Sequence, residues 1–204
     1  MHALRAGLAT GCSPVLAALC SQDMNEELVK TQMALLVQIV RCIQIKKILH
    51  ELDPDPKLNF WRLIQGGFLD LPTLDWCKIF GSNAEPTHWK EIAQDQDNFR
   101  EEMLNYLEIS ATDWVEYWNH MKNYRDELVA HYEMNSDVSS YPTLDIALKS
   151  SYFYYDYLAN MLNEGILEEP MEVLENYSKR FYSSAKKVAC LALEATSELK
   201  EVVY

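Results

Sequence analysis

The stretch Tyr124-Arg125-Asp126-Glu127-Leu128-Val129-Ala130-His131-Tyr132 decides how the chain is read. Here an arginine, acids and a histidine sit together inside an apolar-periodic segment. Trp114, Trp118, Met121, Arg125, Leu128 and His131 recur at three- and four-residue spacings, the mark of a helix with one face turned inward. Ser110 or Thr112 caps it, Asp113 and Glu116 occupy its first turn, and it runs to about Met134. Arg125 carries a permanent charge, and His131 titrates near neutrality. In a straight helix six residues rise roughly 9 Å and turn about 240°, so one helix presents the two side chains badly to a single phosphate. Two copies of the helix meeting across a two-fold axis would do better.

Outward from this helix the same periodicity recurs. Leu28, Leu35, Leu36, Ile39, Ile43 and Leu49 predict a helix from Asn25 to about Leu52, capped by Asp23 or Asn25 and stopped by Asp53-Pro54-Asp55-Pro56. A second helix is expected from about Leu58 to Phe80, bent at Gly66-Gly67 and Pro72 and ended by Gly81. A third, capped by Thr87, should run from about His88 to Leu107 with a break near Gln94–Asn98. A fifth opens at Pro142 and Thr143 and runs to Asn163, and a last one spans about Pro170 to Lys200. The expectation is an all-α bundle of about five to six helices, residues 24–204 forming one domain. Residues 1–23 read as an N-terminal extension, since Met24-Asn25-Glu26-Glu27-Leu28 looks like a natural start.

The 204 residues are 49% hydrophobic, and 18 lysines and arginines against 31 acids leave a net charge of −13. Such a balance argues against a protein that coats nucleic acid non-specifically; any nucleic-acid chemistry must use a local positive patch or a cationic partner. The five cysteines are Cys12, Cys20, Cys42, Cys77 and Cys190. Their odd number and the lack of a Cys-x-x-Cys point to reduced thiols in a cytoplasmic protein. No run approaches the roughly 20 uninterrupted apolar residues of a membrane span, and no membrane association is expected.

The motif Arg125-Asp126-x-Leu128-x-Ala130-His131 resembles the Arg-x(4–6)-His signature of the HEPN superfamily, compact helical domains of prokaryotic toxins and defence proteins. The run from Phe68 to Trp89, containing Leu71-Pro72-Thr73-Leu74-Asp75-Trp76 and Glu85-Pro86-Thr87-His88-Trp89, is similar to the segment before the motif in abortive-infection-type members. The likeness extends over about Met24 to Glu164. It implies a homodimer with a composite site at its interface, acting as an endoribonuclease without metal or cofactor, and a possible antitoxin or regulatory partner. His131 would take a proton from a ribose 2′-hydroxyl, Arg125 would hold the phosphate, and Asp126 would orient either. Tyr132 would contact RNA or pack at the interface. In members controlled by tyrosine modification the tyrosine lies two positions after the histidine. Glu133 stands there, and that regulation is not carried over.

Read without the resemblance, Arg125 is a surface cation paired with Asp126 or Glu127, and His131 is a half-buried histidine. A dimeric interaction module binding a protein or a nucleotide is the alternative function. Lys179, Lys186 and Lys187, with Arg180 and nearby aromatics, form the best basic cluster; they either supply the local patch or balance acidic helices. The run from Tyr152 to Tyr157 reads as core or dimer contact. His50, His88, His120 and His131 lack metal-ligand spacing, and no metal site is expected.

Overall fold

The computed structural model describes residues 14–130, 141–163 and 171–200; His131, Tyr132 and the expected helix end at Met134 lie outside them. Six α-helices and no strand occur among the described residues: α1 (Pro14–Leu52), α2 (Asn59–Trp76), α3 (Gln96–Leu107), α4 (Ala111–Tyr124), α5 (Asp145–Asn163) and α6 (Leu174–Thr196). The all-α reading is met. Asp53-Pro54-Asp55-Pro56 ends α1, because proline has no N–H to donate and forces the residue before it out of helical geometry. At its other end α1 begins at Pro14, so the caps expected at Asp23 and Asn25 fall inside the helix.

Helix α1 is the spine, packed against α2, α5 and α6, while α3 packs on α5. Leu36, Ile39 and Val40 are fully buried along it. Its Glu26–Leu52 part is also long and apolar enough, by length and composition, to cross a membrane, although no uninterrupted apolar run is present. Aromatic rings fill the centre. Trp76 meets Phe80 at 5.3 Å, Phe80 meets Tyr154 at 5.8 Å, and Tyr154 meets Phe99 at 5.4 Å between centroids. The Tyr152–Tyr157 run therefore serves the core, with Tyr152 and Tyr154 buried and the other rings half-buried.

Buried polar groups cross-link these helices, as they must to offset lost hydration. Gln32 on α1 is wholly buried, and its Nε2 donates to the carbonyls of Thr87 and His88, both at 3.1 Å. Its Oε1 accepts from the Tyr154 hydroxyl at 2.7 Å. Gln44 donates to Ser178 Oγ at 2.7 Å, and Trp76 Nε1 donates to Ser150 Oγ at 3.0 Å.

Helix α2 continues unbroken through Gly66, Gly67 and Pro72. Burial of its inner face, with Leu69, Pro72, Thr73 and Trp76, outweighs the local cost of those residues. The irregularity comes later, as a π-helical turn at Cys77–Gly81. Thr87 is not a helix cap. Its hydroxyl donates to the Lys78 carbonyl, and His88 caps a short 3₁₀ turn, Trp89–Glu91, through Nδ1. The anticipated break before Asn98 is real, and α3 restarts after it with Asp95 as cap. Of the two caps the sequence offers, Ser110 and not Thr112 caps α4, in a reciprocal capping box with Asp113.

Candidate functional site

Helix α4 carries the motif, but its α-geometry stops at Tyr124, and Arg125–Ala130 form a second π-helical turn. Such turns insert one residue into the helical register and recur at functional sites. The Arg125 side chain is only 16% exposed. Its Nε and Nη2 both lie 2.7 Å from Asp126 Oδ1. Nη1 lies 3.5 Å from where a Cβ on Gly81 would stand, at the end of the first π turn. The guanidinium therefore lies at contact distance from Gly81, and the two π turns meet through this pair. Of the two carboxylates the sequence offered as partners, Asp126 is the one engaged.

Two further side chains shape this corner. Lys122, one turn before Arg125, places Nζ 4.4 Å from the Trp118 ring centroid and joins no ion pair among the described residues. Trp118 Nε1 donates to the Phe80 carbonyl at 2.6 Å, which fixes the ring. Cys77 lies beneath. Burial pushes its thiol up to about 12 despite the opposing charges of Arg125 and Lys122, so it is protonated and no nucleophile at neutral pH. Trp118, Lys122 and Arg125 are spaced as one helix row, a signal present in the sequence that the Arg-to-His spacing overshadowed.

The other expected residues divide. Lys179 pairs with Glu175 at 2.8 Å, Lys186 with Glu51 at 3.1 Å, and Arg180 with Glu172. Only Lys187 of the cluster is without an ion pair among the described residues. The cluster balances acids rather than forming a patch, and it does not share a site with Arg125 among the described contacts. His131 and Tyr132 lie outside the described residues. Among those described, no group of three or more His, Cys, Asp or Glu is placed to hold a metal ion.

Two concavities flank the corner. The larger, about 920 Å³, lies between α1, α2 and residues 141–148 and mixes Lys46, Lys47 and Arg62 with Asp55, Asp70 and Asp145. Tyr124 closes one side, its hydroxyl donating to Asp70 Oδ1 at 2.6 Å; burial and that carboxylate raise the tyrosine's pKa. The smaller, about 360 Å³, abuts Gly81 and Trp118. Compared with protein-family models, with curated proteins and with solved structures, the chain gives no match in any of the three.

Proposed function

We propose that the chain is a HEPN-like, metal-independent endoribonuclease of a prokaryotic toxin or defence system. The observation that carries this reading is the largely buried Arg125, held by one neighbouring carboxylate beside Lys122, on a protein of net charge −13. A guanidinium in that setting is a preorganised anion ligand, because little reorganisation is needed when a phosphate replaces or joins Asp126. His131, from the same or a two-fold-related copy, accepts the 2′-hydroxyl proton. The 2′-oxygen bonds to phosphorus, the P–O5′ bond breaks, and the 5′-oxygen leaves with a proton from solvent. The products are a 2′,3′-cyclic phosphate and a 5′-hydroxyl.

Total RNA incubated with the protein in EDTA tests this directly. Cleavage should fall about a hundredfold or more in Arg125→Ala and His131→Ala. Full activity in His131→Ala rejects the assignment. The second reading, a non-catalytic module that docks another protein, is favoured by exposed apolar side chains: Leu63 on α2, and Val188 and Leu191 on α6. Stable dimers without any RNA cleavage would select it.

A further inference from the structure

The smaller cleft is assembled from three separate parts of the chain. Trp114 and Trp118 come from α4, Arg100 from α3, and Trp89 and Lys90 from the 3₁₀ turn that His88 caps. Its described lining contains two cations and no carboxylate, whereas the larger concavity sets three aspartates against its bases. On a chain with 13 more acids than bases, a carboxylate-free cationic cleft is a local reversal of charge.

The cations are held against ring faces. Lys90 Nζ lies 5.7 Å and Arg100 Cζ 5.9 Å from the Trp89 centroid, and the Trp89 ring is stacked on Phe99 at 4.4 Å. Their remaining partners are weak: Lys90 donates to Asn83 Oδ1 at 3.0 Å, and Arg100 meets Asp97 at 3.3 Å on the exposed side of α3. Trp118 continues the surface towards Lys122, and Gly81 links the cleft to Arg125. The volume, at the low end of the roughly 300–1,000 Å³ usual for ligand sites, suits one unstacked base and not a duplex. An acidic peptide would be served by the cations alone; the tryptophan wall is what a base requires.

We propose that this cleft is a base-stacking subsite for single-stranded RNA: Trp114 and Trp118 offer ring surface to one unpaired base, and Lys90 and Arg100 hold flanking phosphates. The choice of RNA rests on the nuclease reading above; the choice of a single strand rests on the cleft. The strand would continue past Lys122 to Arg125, so the subsite sets which nucleotide beside the scissile phosphate is gripped.

Binding is measured with a fluorescent 2′-O-methyl RNA hexamer, which has no free 2′-hydroxyl and reports affinity independently of cleavage. The full-length protein should bind it. Lys90→Gln with Arg100→Gln should weaken binding about tenfold and reduce the salt slope by about 0.7 per lost phosphate contact. Trp118→Ala should also weaken it about tenfold or more. The lysine and arginine variants change exposed or rim side chains and should leave circular dichroism unaltered. No binding by the wild type, or equal binding by the double variant, overturns the proposal. So does a glutamate-rich peptide of the same charge that binds as tightly as the hexamer. Hexamer binding without cleavage of ordinary RNA keeps the subsite and rejects the nuclease; cleavage and hexamer affinity both unaltered in the double variant reject the subsite and keep the nuclease.

Discussion

Acid should destabilise this protein through His88 as the pH falls below 6.5. The imidazole is 2% exposed, its Nδ1 accepts from the Lys90 amide at 3.2 Å, and its carbonyl accepts from Gln32. Burial, with the nearby Lys90 charge second, lowers its pKa from 6.5 to about 4. Below pH 6.5 the unfolded chain takes up a proton that the folded chain refuses, so this contribution to stability is complete above the unfolded pKa and falls as pH drops towards the folded one. Over the whole window the loss approaches about 3 kcal/mol, and between about pH 7 and pH 5 it is about 2 kcal/mol. Urea titrations at those two pH values read it as a fall in midpoint of about 1 M with unchanged slope. His88→Gln, which keeps an acceptor but does not titrate, should remove that share of the pH dependence even if it lowers stability throughout. An equal fall in wild type and His88→Gln refutes the reasoning.

Gly66→Ala and Gly67→Ala should each raise stability by roughly 0.5–1 kcal/mol, since both lie inside α2 and an added Cβ meets nothing within 4 Å. Gly81→Ala should not; its Cβ would stand 3.1 Å from Cys77 Cβ, and thermal melts of the three variants separate the cases. Gln32→Leu strands the Tyr154 hydroxyl and two backbone carbonyls in the core and should cost about 3 kcal/mol in urea unfolding. Iodoacetamide at mildly alkaline pH should label exposed Cys190 rapidly and spare native Cys42 and Cys77, as peptide mass mapping would show.

Where punctuation is chemical, the sequence is a good guide. The aspartate–proline repeat after Leu52 and the Ser110/Asp113 box act through their own backbone and side-chain groups, and both stop or start helices as read. Gly66, Gly67 and Pro72 do not interrupt α2 because those residues state only a local cost, and the packing that outweighs it is tertiary. That His88 and not Thr87 caps the next turn is equally hidden, since the role of His88 depends on burial that no local pattern reveals. Arg125 and Asp126 are visible as neighbours. The tryptophan–cation cleft is not, because Trp89, Arg100 and Trp118 sit on three successive elements that only tertiary packing folds around one space.

The π turn at Arg125–Ala130 makes chain length, and not only residue identity, a variable of this segment's geometry. It carries one residue more than the α-helical path, so removing a single residue there would let the segment close into ordinary helix with its flanking turns in register. A one-residue deletion within Arg125–Ala130 would therefore be absorbed by loss of the π turn, whereas a one-residue insertion would have to be accommodated anew. Spacing in this motif is geometry as much as signature.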